Sequence, residues 1–267
     1  MTFSTRLKEE ICSEDIERVS MFSELSAIIR YDAMIRENTI TLVFENASVA
    51  RRVFKDIKSC FNYSPHIIVR NQKRLRAKQI YILEIHEKAE EILERLNIYK
   101  NHQKLKMKRE YLTDPYEMVA YVRGTFLVTG SISDPSTGGY HLEYVFSDLE
   151  DAKFMSKLLQ EMKFDSKITE RNNRYLIYIK SSEEISDMIR MFGASNSLFY
   201  FEDVRIYRDH KNMVNRLNNC EIANQEKTTK TGMDQLSLIH YLEEHDLVNL
   251  LDEKTQIVLE YRKKYPE

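Results

Sequence analysis

Glycine and proline are scarce in this 267-residue sequence, with six and four copies. That predicts short loops and many helices. Cysteine occurs three times, at Cys12, Cys60 and Cys220. The count is odd, the spacing wide, and there is no CxxC or Cys/His cluster, which argues against a disulfide framework or a structural zinc site. A reducing cytosol is the simplest setting. No apolar run approaches the roughly 20 residues that a membrane span needs, and the opening MTFSTRLKEE lacks the apolar core of a signal peptide. The seven histidines show neither HxH nor HExxH spacing, so they read as surface or core residues rather than ligands. A formal net charge of -2 supplies no global attraction for nucleic acid, so any basic surface is local.

What is present is 42% hydrophobic and 31% charged, the balance of a soluble globular protein with one large domain or two ordinary ones. The organising stretch is YVRGTFLVTGSISDPSTGGYHLE, Tyr121 to Glu143. An apolar helical run ends at Gly130-Ser131, passes a turn (Asp134, Pro135, Gly138, Gly139) and enters a strand. A fainter copy is LSAIIRYDA, Leu25 to Ala33. Ser26 and Ala27 in one helix, and Gly124 in the other, would let two backbones approach closely at a crossing.

Along the chain, residues 5 to 12 form a short helix. Ser13 reads as the N-cap of a second, with Glu14, Asp15 and Glu17 in its first turn and Ile16, Val19, Phe22, Leu25 and Ile28 as its stripe. Thr39 to Phe44 is a strand, Asn46 caps a helix through Cys60, and His66 to Arg70 and Gln79 to Ile85 are strands joined by the basic turn NQKRLRAK. Residues 87 to 98 are helical, and Lys100 to Arg109 is a basic linker. The pattern then restarts. Asp114, Pro115 and Glu117 make a helix start, Tyr140 to Phe146 a strand, and Ser147 with Glu150 a capping box. Ser166 to Glu170 and Arg174 to Lys180 form a hairpin turning at Asn172-Asn173, and Ser181 with Glu184 caps the next helix. LVFENASVARRVFKDI at Leu42 aligns with YVFSDLEDAKFMSKLL at Tyr144, an offset of 102 (144 − 42). QIYILEI at Gln79 aligns with RYLIYIK at Arg174, an offset of 95 (174 − 79). Each half therefore reads helix, strand, helix, strand, strand, helix. A duplicated α+β unit should merge its sheets into one larger sheet with helices on one face. Residues 195 to 267 read as helical and polar.

A duplicated unit whose two motif helices cross at its centre resembles the LAGLIDADG homing endonuclease scaffold. More narrowly, RGTFLVTGSISDPSTGGYHLE (Arg123 to Glu143), NRLNNCEIANQEKT (Asn215 to Thr228) and ELSAIIRYD (Glu24 to Asp32) resemble the WhiA family of bacterial regulators. The resemblance implies an α+β fold of duplicated LAGLIDADG-like αββαββ-type units sharing a central helix pair, followed by a mostly helical C-terminal segment. It divides the chain into a first half, 1–105, a second half, 106–215, and the start of a helix-turn-helix domain, 216–267. That last domain is expected to be truncated, its recognition helix having no room before Glu267. The family implies roles in transcription, cell division and chromosome segregation, and in sporulation where it occurs.

The same resemblance tests for a nuclease site. Active members hold metal between two acids, one at the tip of each central helix, because phosphodiester hydrolysis needs hard oxygen ligands there. Aligned on the motif, the tips here are Asp32 and Thr129. One carboxylate remains and one is missing, so the expectation is no catalytic residue, no metal and no cofactor, with Asp32 a solvated or capping carboxylate. The basic turn (Arg70, Lys73, Arg74, Arg76, Lys78) and the linker cluster (Lys104, Lys106, Lys108, Arg109) are the candidate contacts to duplex DNA. Glu84, Glu143 and Glu170, placed near the sheet face, oppose that reading. The chain is expected to act in the bacterial cytosol on duplex DNA, through these cations or through the missing helix-turn-helix alone, with no membrane partner. Two alternatives stand beside it: a weak metal-dependent endonuclease using Asp32, and a protein-interaction module docking a partner on the former DNA saddle.

Overall fold

The computed structural model describes residues 1–36, 38–72, 78–101 and 103–265, with Gln72 and Lys78 described by backbone alone. Two helices organise it: α2 (Arg18–Asp32) and α5 (Pro115–Thr129). Asp114 starts α5 with a complete capping box, its carboxylate accepting from the Tyr116 amide at 2.6 Å while Glu117 accepts from the Asp114 amide at 3.2 Å. From Ala120 to Leu127 every residue of α5 is buried. A helix buried on all sides belongs at a core's centre. Gly124 permits the crossing: a Cβ there would lie 2.5 Å from the Glu24 carbonyl oxygen.

Around this pair each half repeats one pattern. In the first, α2 leads to β1 (Met34–Arg36), β2 (Thr39–Phe44), α3 (Ala47–Phe61), β3 (His66–Gln72), β4 (Lys78–Ile85) and α4 (Ala89–Arg95). A small hairpin, β5 (Tyr99–Lys100) with β6 (Gln103–Lys104), follows. In the second, α5 leads to β7 (Gly130–Ile132), β8 (Leu142–Phe146), α6 (Leu149–Glu161), β9 (Lys167–Arg171), β10 (Arg174–Ile179) and α7 (Ser182–Met191). Each half thus has a short strand directly after its motif helix that the sequence pattern did not show. The sheets do not merge. They remain two four-stranded antiparallel sheets, ordered β1-β2-β4-β3 and β7-β8-β10-β9.

Register corrects the repeat as well. Leu42 pairs with Leu83, and Tyr144 with Ile177, so the fourth strands correspond at an offset of 94 (177 − 83), not 95. A one-residue slip would place every side chain on the wrong face. With the true offset, Tyr81 beside Phe44 matches Tyr175 beside Phe146. The β9–β10 turn is as expected: Asn172 and Asn173 both take positive φ (52° and 56°), the geometry of a two-residue hairpin.

Two capping expectations fail. Ser13 is the last residue of α1 (Phe3–Ser13) and does not begin α2. Asp148, not Ser147, caps α6, accepting from the Glu150 and Asp151 amides. Helix α1 adds Phe3, Leu7 and Ile11 to the core. Its Glu10 carboxylate accepts from the amides of Asn196 and Ser197 at 2.6 and 2.8 Å, capping the start of α8 (Ser195–Glu244). Two compact units divide within α8: Met1–Arg205 and Ile206–Glu267. The second contains the rest of α8 and α9 (Glu253–Lys264), where Gln256 donates to the carbonyls of Val248 and Leu251.

Candidate nucleic-acid interface

The tips of the central helices hold unlike groups. Asp32 closes α2, half-buried, with a hydrogen bond from the Val43 backbone and with Oδ2 buried and unpartnered. Burial pushes its carboxyl up to about 6, opposed by that hydrogen bond and by the charge of Lys8. It is therefore neither a solvated carboxylate nor a helix cap. Lys8, on α1, is pushed down to about 8 by burial, and its ammonium stands 5.5 Å from the Phe126 ring centre. Thr129 is turned into its own helix, donating to the Thr125 carbonyl at 3.0 Å. The donor set does not fit the divalent ion of the endonuclease scaffold. One carboxylate remains, the opposing hydroxyl is already engaged, and among the described residues no three His, Cys, Asp or Glu side chains gather as a metal site. Lys8 also lines an open cleft of about 980 Å³ with Thr2, Thr5, Asn46 and Ser131.

Strand register defines the face that each sheet turns away from its helices. Ile40, Leu42 and Phe44 point into the core, so their neighbours and the residues paired with those point outward. In the first sheet the outward set includes Arg36 (opposite Thr39) and Arg70 (opposite Ile80), both exposed. In the second it includes Lys167, Arg171 and Arg174, all exposed. Two acids share these faces. Glu84 lies 3.5 Å from His86, and Glu143 is occupied by the Ser131 hydroxyl (3.1 Å) and His141 (3.0 Å). Glu170 pairs with Tyr175, and Tyr175 with Phe146, which places it on the opposite face. One of the three expected repulsive acids is thereby removed.

The two expected basic clusters are described unequally. Lys73, Arg74 and Arg76 lie outside the described residues, and Lys78 begins β4 opposite Gln72. Of the linker cations, Lys104, Lys106 and Arg109 stand along α6, which packs against the second sheet. There Lys104, Lys106, Asp151, Phe154 and Lys157 border a groove of about 460 Å³. Lys106 lies 3.9 Å from Glu150, and Lys108 is exposed. Arg109 is engaged by Glu161 at 2.8–3.1 Å and by the Leu112 carbonyl. Contact with Glu161 holds the Arg109 guanidinium above its ordinary range and the Glu161 carboxyl below its own. Arg109 would have to leave this partner to meet a phosphate.

Sequence reasoning missed a buried ionic group at the helix crossing. Glu24, wholly enclosed, accepts from Arg52 Nε at 3.1 Å and from Arg123 Nε at 2.7 Å. Arg52 also lies 3.2 Å from Asp56 and donates to the Glu14 carbonyl. Burial raises the Asp56 carboxyl to about 7 despite Arg52. The available signal was charge within the apolar motif helices: Glu24 and Arg30 in the first, Arg123 in the second. In such a group the cost of desolvating the charges offsets much of their mutual attraction, whereas removing one partner leaves an uncompensated buried charge. Arg30 holds the linker to α2 through the carbonyls of Leu105 and Asn97, both at 2.6 Å.

Comparison with known proteins gives three family matches in chain order. The WhiA N-terminal LAGLIDADG-like domain matches residues 18–99, the WhiA LAGLIDADG-like domain 118–211 and the WhiA C-terminal HTH domain 214–267. The "Probable cell division protein WhiA" of Bacillus subtilis (strain 168) is 34% identical over 273 residues, covering 100% of this chain and 86% of the relative. That of Lactobacillus acidophilus is 32% identical over 274 residues, covering 100% and 88%. Among solved structures, full-length DUF199/WhiA from Thermatoga maritima superposes with a TM-score of 0.66 at 22% identity, covering 100% of this chain and 88% of that one. At that identity the likeness shows the fold.

Proposed function

Because the chain belongs to the WhiA family, we propose that it is a non-catalytic DNA-binding regulator of transcription acting in cell division, with chromosome segregation and sporulation as the family's further roles. The observation that carries the non-catalytic reading is the asymmetry of the helix tips. Asp32 is a half-buried carboxyl, and Thr129 spends its hydroxyl on its own helix. Phosphodiester hydrolysis on this scaffold needs two anionic oxygen ligands to place a divalent ion and polarise water. One such ligand remains.

Binding in this reading has two parts. The segment matching the C-terminal HTH domain, 214–267, reads the duplex. The outward sheet faces contact phosphate through Arg36, Arg70, Lys167, Arg171 and Arg174, extended by Lys73, Arg74, Arg76 and Lys78. The linker cations Lys104, Lys106, Lys108 and Arg109 are secondary, since Lys104, Lys106 and Arg109 stand along α6. The setting is the bacterial cytosol and its nucleoid. Among the described residues no helix is long and apolar enough to cross a membrane. A second reading, in which the same faces dock a protein, is favoured by Glu84 and Glu143 among the cations.

The test is incubation of the 267-residue chain with duplex DNA and Mg²⁺ or Mn²⁺. The expected result is a retarded but intact duplex. Metal-dependent cleavage that disappears in Asp32→Ala would overturn the non-catalytic reading, and failure to retard duplex at low salt would favour the protein-docking one.

A further inference from the structure

The two acids on the outward sheet faces each stand beside a histidine. Glu84 and His86 are two residues apart, as are His141 and Glu143, so each pair shares one face of its strand. In the first sheet His86 Nε2 lies 3.5 Å from Glu84 Oε2. His66 pairs with Glu84 across β3 and β4, and its ring centre is 5.6 Å from that of His86. In the second sheet His141 Nε2 lies 3.0 Å from Glu143 Oε2. The order is acid then histidine at the end of β4, and histidine then acid at the start of β8. These strands do not correspond in the repeat, so the duplication alone does not account for both pairs. The His86 and His141 side chains are 46% and 38% exposed, open to protons and to a ligand alike.

Histidine is the side chain whose ordinary titration falls between pH 5 and 8. With neutral imidazoles, Glu84 and Glu143 present uncompensated negative charge to an approaching phosphate. With imidazolium that charge is balanced, and His66 adds a further cation. A carboxylate and a phosphate beside one imidazole both favour its protonated form. Other groups face these rings as well. Thr39 Oγ1 lies 3.2 Å from His86 Nδ1, with Arg36 on the far side of Thr39, and the Tyr63 hydroxyl accepts from the His86 amide at 3.3 Å. His141 stacks on Tyr178 at 5.8 Å, and Tyr178 is flanked by Lys167 and by the Lys180 ammonium. Arg36, Lys167 and Lys180 oppose protonation, but each acts across an intervening residue, whereas each carboxylate lies within 3.5 Å of an imidazole.

We propose that the sheet faces bind duplex DNA with uptake of protons, at His66 and His86 in the first half and at His141 in the second, so that acidification tightens the grip. This rests on the reading that these faces meet DNA. By linkage, a ligand that binds the protonated form better raises proton affinity, and lower pH raises ligand affinity by the same factor.

The test reads fluorescence anisotropy of a labelled duplex titrated with the 267-residue chain at about pH 6 and about pH 8, at one fixed low ionic strength. The wild type is expected to bind roughly tenfold more tightly at the lower pH, since each proton taken up contributes up to about tenfold per pH unit. The triple variant His66→Gln/His86→Gln/His141→Gln should match the wild type at the higher pH and change by less than about threefold between the two. The double variant Glu84→Gln/Glu143→Gln should bind more tightly than the wild type at the higher pH, because removing the acids does what protonation does. Equal pH dependence in the wild type and the triple variant would overturn the proposal while leaving DNA contact standing. So would a wild-type affinity that ignores pH, or a triple variant weakened equally at both values. Absence of binding at either pH would overturn the DNA reading itself, and this proposal with it.

Discussion

Gly124→Ala adds one methyl group at the crossing of α2 and α5. Its Cβ would lie 2.5 Å from the Glu24 carbonyl oxygen and 3.0 Å from the Glu24 Cα. Both are backbone atoms, so no side chain can swing away, and α2 itself must shift. That helix is held where it is by short contacts. Glu24 bridges Arg52 and Arg123 at 3.1 and 2.7 Å, Ser26 donates to the Leu96 carbonyl at 2.9 Å, and Arg30 reaches two carbonyls at 2.6 Å. Overpacking a tight core costs roughly 1–3 kcal/mol. With buried ionic contacts strained as well, the upper end, about 3 kcal/mol, is expected. For a unit of this size that corresponds to a fall in Tm of roughly 6–12 °C. The control is Gly139→Ala, where the added atom would meet nothing within 4 Å and a change within about 0.5 kcal/mol is expected. Thermal and urea unfolding followed by circular dichroism read both. A Gly124→Ala variant as stable as the wild type, or a Gly139→Ala variant equally damaged, would refute the close crossing.

Other perturbations report on neighbouring features. Arg30→Met should cost about 2–3 kcal/mol in urea unfolding, because it strips the Asn97 and Leu105 carbonyls of their donor. Asp32 has a carboxyl raised by burial to about 6 from an ordinary 3.8, so the folded state holds its proton more tightly than the unfolded one. Its stabilising contribution is complete below the ordinary value and is lost as pH rises toward 6. Asp32→Asn should therefore gain on the wild type between pH 5 and pH 7.5 in paired urea midpoints, and a constant difference would contradict this. Asn173→Ala should lower stability by roughly 1–2 kcal/mol in urea unfolding, since alanine lacks the local tolerance that asparagine has for φ 56°, whereas Asn173→Gly should be tolerated.

The duplication was legible because strand and helix periods survived in both halves, and the V-F pair before each flanking helix marked the register of β2 and β8. The short strands β1 and β7 were not legible. They are three residues long and follow their helices at Ala33 and Gly130 without a turn, so no periodicity develops. The expectation of one merged sheet failed with them: β1 and β7 are terminal strands, and each pairs within its own half. Single polar residues misled the capping assignments at Ser13 and Ser147, where a serine and a following acid exist but the backbone turns elsewhere. The buried ionic group was illegible as a group. Glu24 gathers partners 28 and 99 residues away, and neither spacing leaves a local pattern. Lys167, Arg171 and Arg174 are legible by strand alternation in the second hairpin, where they share one face.

The most direct test of phosphate binding by the sheet faces is the salt dependence of duplex DNA affinity, read by fluorescence anisotropy for the 267-residue chain and for the triple variant Arg70→Glu/Arg171→Glu/Arg174→Glu. Each phosphate contact contributes about 0.9 to the slope of log affinity against log salt. The account predicts steep salt dependence for the wild type, with a slope shallower by roughly 2–3 in the triple variant. Identical slopes in the two proteins would mean that the sheet faces do not meet DNA, and would contradict the account.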